Sequence, residues 1–272
     1  MRPATSPISH TPGFRLIIEN VSHSSIVHES LTAVFQVRRF RDTVAAGHSG
    51  SEPIDPDSPR CAPGWRTELA VLLWQRAMAP QTGTWSLPGG RLRDDEELDV
   101  SARRQLAEKV DVRELLHLEQ VWVFSDPHRV PPPRRIASAY LGLVPLTADP
   151  QLPQDTRWYP VSALPNMSFD HGTVARNARH RLAAKLSYTN IAFALAPHQF
   201  TMTVLRDIYC AALGYEVDTT NLQRVLSRRK VITPTGETAA PGKAGGRPAA
   251  LYRFTDDRIR VTDEFAALRP PS

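Results

Sequence analysis

Residues 87–112 read LPGGRLRDDEELDVSARRQLAEKVDV, and no other stretch narrows the possible folds of this chain so far. Gly89 and Gly90 permit close backbone approach or positive φ, so a tight turn is expected before a helix. Asp94, Asp95, Glu96 and Glu97 then place negative charge where a helix N-terminus favours it. Leu98, Ala102 and Leu106 recur every four residues and form one apolar stripe. Gln105, Glu108 and Lys109 stand at i, i+3 and i+4, so they share a face of the same helix. Strand-like runs flank this unit: 31–40 and 67–76 before it, 115–126 and 135–146 after it.

The chain has 272 residues, which suggests about two domains at roughly 150 residues each. No apolar run approaches the ~20 residues of a membrane span. The N-terminus carries no apolar secretory segment. Cys61 and Cys210 can supply neither a disulfide framework nor a zinc set. A cytoplasmic protein without membrane contact is expected, with no metal and no resident cofactor. Residues 1–28 read as a flexible tail, with at most one short strand near Phe14–Ile18. Residues 29–188 read as the first domain. Within it, 42–66 is dense in Gly, Pro, Ser and Asp and is expected as a mobile loop. Residues 157–165 suggest a short strand and turn. The stretch 170–188 reads as a linking helix, with Val174, Ala178, Leu182 and Leu186 on one face and arginines opposite. Residues 189–260 read as a second domain, followed by a tail, 261–272.

The 87–112 segment resembles the Nudix box, G-x5-E-x7-R-E-U-x-E-E-x-G-U, where U is bulky and aliphatic. Gly90, Glu96, Arg104, Leu106, Glu108 and Val112 match; Gln105, Lys109 and Asp111 depart from it. In family members the face carrying positions 105, 108 and 109 holds a divalent cation against a pyrophosphate. Mg²⁺ prefers hard carboxylate oxygens, and here the three side chains are neutral, negative and positive. The resemblance thus implies a Nudix-fold α/β/α sandwich that binds a nucleotide diphosphate without cleaving it. Leu87, Gly89, Gly90 and Glu108 are the candidate ligand residues from the box. Arg38 and Arg39 either face a diphosphate or are plain surface arginines. Trp85 and Phe124 either stack on adenine or belong to the core. Asp170 is either a helix cap or a ligand contact.

The charge is concentrated elsewhere. Between Thr219 and Phe254 there are seven basic residues and one acid, Glu237, a net +6 in a chain whose total is +5. Such patches bind phosphate backbones. The order is a helix at 200–214, closed by Gly214, then a polar-basic helix at 219–232, then a Gly/Pro-rich hairpin at 236–254. That is the order of a winged helix-turn-helix. Leu205, Ile208, Tyr209 and Leu213 would support; Leu222, Val225 and Leu226 would face inward. Thr220, Asn221, Gln223, Arg224 and Arg228 would enter the groove. Arg229 and Lys230 would contact phosphates, and Lys243 and Arg247 would sit on the wing.

A degenerate Nudix box followed by a winged helix resembles the NrtR family, the Nudix-related transcriptional regulators of NAD metabolism. The resemblance covers about Leu31 to Phe254. It implies a homodimeric repressor of NAD biosynthesis genes that binds a palindromic double-stranded operator and is released by ADP-ribose, or by NAD as a related effector. Two rivals differ in kind. An active ADP-ribose pyrophosphatase with a DNA-targeting appendage would need carboxylates that positions 105 and 109 lack. A nucleotide-binding adaptor for protein partners leaves the clustered +6 without a purpose.

Overall fold

A computed structural model describes residues 26–41, 51–53, 64–240 and 248–263. Its spine is β1 (Val27–Arg41). Both faces of this strand are buried, and its apolar residues from Leu31 to Phe40 are joined by buried polar ones, Ser30, Thr32, Gln36 and Arg38. One edge pairs in parallel with β7 (Arg135–Leu143), from Val27↔Arg135 to Phe35↔Leu143. Beyond Phe35 that edge is open, and β2 (Ser51–Pro53) fills it through Arg38↔Pro53 and Arg39 with its partner at 52. The other edge pairs antiparallel with β5 (Gly89–Arg91) and β3 (Trp65–Gln75). Strand β4 (Trp85–Ser86) and β8 (Thr156–Pro160) extend from β3, and β6 (His117–Phe124) closes the far side on β7. The stretch expected as one mobile loop at 42–66 therefore holds β2 and the start of β3. The free edge of β1 stabilises three residues whose composition alone suggests no strand.

Helices cover both faces. Helix α1 (Leu98–Val110) packs Leu106 and Val110 over Val34, Phe40, Leu72 and Trp158. The opposite face, with Leu31, Ala33, Phe35 and Val37, is covered by α2 (His171–Tyr188), the turn Ile191–Ala194 and α3 (Met202–Leu213). The result is an α/β/α sandwich. Helix α3 also belongs to the C-terminal winged helix, with α4 (Thr219–Arg228) and a sheet ordered β10 (Ile232–Thr238), β11 (Ala250–Phe254), β9 (Phe200–Thr201). It lies against β1 and β3 as well as against α2 and α4. A single apolar cluster runs from Leu31 through Leu205 and Ile208 to Leu222 and Ile232.

Boundaries differ from expectation at several points: β1 begins at Val27, inside the 1–28 stretch read as a tail, and Phe200–Thr201 form β9 ahead of α3. Helix α4 ends at Arg228, not 232, because Lys230 takes a positive φ of 55° and Ile232 pairs with Phe254. Residues 261–263, expected in the tail, are tied down: Val261 bridges Thr189, and the Thr262 and Asp263 amides donate to the Tyr188 carbonyl. The N-terminal residues 1–25 lie outside the described residues. No helix among the described residues is long and apolar enough to cross a membrane.

Candidate functional site

The glycine turn is fixed by close packing. A Cβ on Gly89 would lie 2.2 Å from the Ser30 carbonyl oxygen, and one on Gly90 would lie 2.6 Å from the Gln105 amide. Leu87 is clamped from two sides: its N–H donates to His171 Nδ1 at 3.1 Å, and its carbonyl accepts from Trp74 Nε1 at 3.1 Å. The box residues that match the family mostly bond one another. Arg104 Nε donates to Glu96 at 2.8 Å, and Arg104 Nη1 donates to Glu108 at 3.1 Å. The Arg104 hydrogen bond holds the Glu96 carboxyl down at about 2. At the family's glycine position, Asp111 closes α1 in the left-handed region at φ 51°.

Beside the turn is a cavity of about 480 Å³, within the usual size of small-molecule sites. Its lining includes Glu29 and Leu31 of β1, Arg76, Leu87, Gly89, Gly90, Lys109, Arg135, Phe169 and His171. A second hollow of about 560 Å³ adjoins it across Val130, Pro131, Pro132 and Phe169. Phe169 divides the two at φ 49°, a strained geometry for a bulky residue, and such strain gathers at ligand clamps. Its N–H is held by Gln81 Oε1 at 3.0 Å, and the Arg76 guanidinium covers its ring at 5.1 Å. Arg129 braces the wall from behind. It is buried, donates twice to Asp170 at 2.8 Å, and donates to Glu29 at 2.7 Å. Burial and neighbouring cations bring His171 down to about 4, so the ring is neutral and accepts at Nδ1.

The divalent cation of the fold's enzymes does not fit the face at 105, 108 and 109. Lys109 reaches the Gly89 carbonyl with its ammonium and stacks over Trp74 at 4.7 Å. Gln105 fills the space at Gly90, with its amide nitrogen toward the Gly89 oxygen when both its ends are satisfied. Glu108 is half-exposed and engaged by Arg104 and Arg93. Among the described residues, no group of three His, Cys, Asp or Glu is arranged to hold a metal ion.

The structure places Leu87, Gly89 and Gly90 on the cavity, and five other expected ligand residues elsewhere. Arg38 is buried on the opposite sheet face, where it donates to Gln36 at 2.5 Å and stacks over Trp158 at 5.3 Å. Arg39 shares the cavity's sheet face but lies eight residues along β1 from Leu31, about 26 Å away at 3.3 Å per residue. Trp85 packs edge-on against Tyr159 at 4.8 Å, and Phe124 packs on the core, so both take the core alternative. Glu108 belongs to the Arg104 cluster. Asp170 occupies the N-cap position of α2 without a side-chain cap bond, because its carboxylate is committed to Arg129. Sequence reading missed Arg76, Lys109 as a lining group, Arg135, Phe169 and Arg129. These residues come from separate segments that only the sheet register brings together. Lys109 alone carried a signal, as a departure from the box.

The winged helix presents a basic face. Asp218 caps α4 by accepting from the Asn221 N–H at 2.7 Å. Leu222 and Leu226 are buried, Val225 is half-buried, and Thr220, Asn221, Arg224 and Arg228 are exposed. Gln223 is half-buried and donates to the Tyr252 hydroxyl at 2.8 Å. Lys230 is exposed at the turn after α4. Arg229 is diverted from the groove: it donates to the Ser187 carbonyl at 2.8 Å and pairs with Asp263 at 2.5 Å. Lys243 and Arg247 lie outside the described residues.

Helix α2 joins the two regions. It starts beside the cavity at His171 and spans 18 residues, about 27 Å at 1.5 Å per residue. Glu119 of β6 pins it through Lys185 at 2.6 Å and Arg181 at 3.0 Å. Burial pushes Glu119 up, but the hydrogen bonds from His117, Lys185 and Arg181 prevail and bring it to about 2. At its other end the segment 255–263 straps α2 to α4. Asn190 bonds the Arg258 carbonyl at 2.9 Å and the Arg260 amide at 2.7 Å, and Arg260 donates to the Lys230 carbonyl at 3.0 Å.

Comparison with known proteins agrees with this division. Residues 61–179 match the NUDIX domain, and residues 192–254 match the NrtR DNA-binding winged helix domain. The chain is 34% identical over 194 residues to the ADPR responsive transcriptional repressor NtrR of Acinetobacter baylyi, covering 69% of this chain and 76% of that protein. The crystal structure of Shewanella oneidensis NrtR complexed with a 27mer DNA superposes with a TM-score of 0.61 at 25% identity, over 84% of this chain and 93% of that one. A MutT/nudix family protein from Enterococcus faecalis shares the fold at 17% identity and a TM-score of 0.58, over 91% of this chain and 90% of that one. With a Nudix sandwich and a winged helix in one chain, and that level of identity to a curated repressor, the chain belongs to the NrtR family of transcriptional regulators.

Proposed function

We propose that this chain is a repressor of NAD biosynthesis genes that senses ADP-ribose. The observation that carries the reading is the combination in one molecule of a cavity lacking the carboxylate face and an exposed basic recognition helix. It acts as a homodimer on a palindromic operator, since one half-site offers a single module few contacts. Thr220, Asn221, Arg224 and Arg228 meet the DNA. ADP-ribose binds between Leu87, Gly89, Gly90 and Phe169 and is not hydrolysed. It favours the arrangement that does not fit DNA, because a ligand indifferent to both arrangements shifts nothing. Helix α2 and its strap carry the change from the Phe169–His171 corner to the C-terminus of α4. A coupling of about 1–3 kcal/mol would change operator affinity about 5- to 150-fold.

The test is gel-shift or anisotropy binding to duplex DNA from upstream of the organism's NAD-synthesis genes, at fixed salt, with and without ADP-ribose. Selective binding weakened by ADP-ribose is expected. Binding untouched by ADP-ribose but weakened by NAD would transfer the effector role to NAD. Mg²⁺-dependent cleavage of ADP-ribose that is lost in Glu108→Gln would return the chain to the hydrolases.

A further inference from the structure

We propose that Lys109 takes the place of the divalent cation as the counter-charge for the effector's diphosphate, so that this site binds a nucleoside diphosphate sugar without metal. The inference rests on the reading of the cavity as the effector site. Position 109 is where the Nudix pattern has a metal-binding glutamate, and here an ammonium projects onto the same cavity wall. It is held rather than loose: its ammonium lies over the Trp74 ring at 4.7 Å and donates to the Gly89 carbonyl. An ammonium has three donors, so this bond leaves donors for a ligand oxygen.

Charge balance around the cavity agrees. Its ionised lining consists of Glu29, Arg76, Lys109 and Arg135, a net +2. A pyrophosphate diester carries two negative charges. Arg135 is shared with Glu29 at 3.3 Å and Arg76 is laid over Phe169, whereas Lys109 has no carboxylate ion-pair partner among the described residues and is fixed on the glycine turn itself. Burial, together with the nearby Arg76, disfavours its charged form, and a bound anion would relieve that cost. An enzyme needs metal to polarise the bond it breaks; a sensor needs only affinity, and a fixed cation supplies it independently of metal concentration.

The experiment is calorimetric titration of the full chain with ADP-ribose, and separately with inorganic pyrophosphate, each in EDTA and in MgCl₂. For the unaltered chain, affinity in EDTA should lie within about twofold of that in Mg²⁺. Lys109→Met keeps an unbranched side chain of similar length and removes the charge; it should weaken binding in EDTA by about tenfold or more, as loss of a charge-assisted contact does. Lys109→Arg should recover part of the loss. Lys109→Glu should bind in Mg²⁺ and not in EDTA. A Mg²⁺ requirement in the unaltered chain, or undiminished binding by Lys109→Met, would overturn the proposal. If pyrophosphate binds through Lys109 and ADP-ribose does not bind, the effector reading fails and the anion site stands. If neither binds, both fail.

Discussion

Replacing Leu205 by alanine should unfold the Nudix sheet at lower denaturant, although Leu205 lies in the winged helix. Leu205 is fully buried on α3, and its cluster continues through Leu31, Phe35 and Val71 of the sheet. A buried Leu→Ala change costs about 2–5 kcal/mol, depending on how far the site collapses. With a cost of about 3 kcal/mol and a urea dependence of about 3 kcal/mol/M for a chain of this size, the midpoint should fall by about 1 M. The sequence supplies a clean probe. All five tryptophans, Trp65, Trp74, Trp85, Trp122 and Trp158, lie in the Nudix domain. Their fluorescence therefore reports the sheet and nothing of the winged helix. Far-UV circular dichroism reports all helices. The shared core predicts that both probes move together in Leu205→Ala. If tryptophan fluorescence kept its midpoint while the dichroism split into two transitions, the winged helix would melt on its own and the continuous-core reasoning would be wrong.

Other consequences are equally direct. Arg129→Met removes the cation from Asp170 and leaves the buried Glu29 with Arg135 alone, and should cost about 3–5 kcal/mol in urea unfolding, the usual penalty for breaking a buried pair from one side; a loss below about 1 kcal/mol would refute the bracing role. Asp111→Gly relieves the left-handed C-cap of α1 and should raise stability by up to about 1 kcal/mol, measured in the same assay. His171 has a folded pKa of about 4 against an ordinary value of 6.5, so the unfolded chain binds more protons between those values. Its contribution is full above pH 6.5 and is lost as pH falls towards 4, by up to about 3 kcal/mol at 1.36 kcal/mol per unit; His171→Gln should flatten the stability profile in that window. On operator DNA, Arg224→Ala should reduce the salt slope by about 0.9, as for one phosphate contact. Arg229→Ala should leave that slope intact and lower the melting temperature instead, because its partners are Ser187 and Asp263.

Much of the architecture was legible because its periodicities are strong. The strand-like run at 31–40, the Val174–Leu182 stripe of α2 and the Gly214 stop of α3 each follow from local chemistry. What escaped was non-local. Ser51–Pro53 becomes a strand only because β7 stops beside Phe35. Arg38 reads as a free cation in sequence, yet its position on an inward-facing pleat buries it beside Trp158. Arg129 sits in a proline-rich connection with no pattern to mark it, and its importance comes from Glu29, a hundred residues earlier in the chain. Arg229 looked like the rest of its basic run until the 255–263 strap supplied the Asp263 carboxylate and α2 the Ser187 carbonyl. The box was informative in a divided way: its matches identified a helix scaffold, and its departures identified the cavity chemistry.

That division has an evolutionary consequence. The Glu96–Arg104–Glu108 ladder needs no bound ligand to hold it together, so α1 keeps its shape whatever stands at positions 105 and 109. Glutamine and lysine codons are each a single nucleotide from those of glutamate. The chain therefore sits a short mutational step from a carboxylate-bearing face, on a helix already built to present it. A catalyst at that position would consume the molecule whose abundance it is meant to report, and the DNA-bound population would then follow turnover instead of supply.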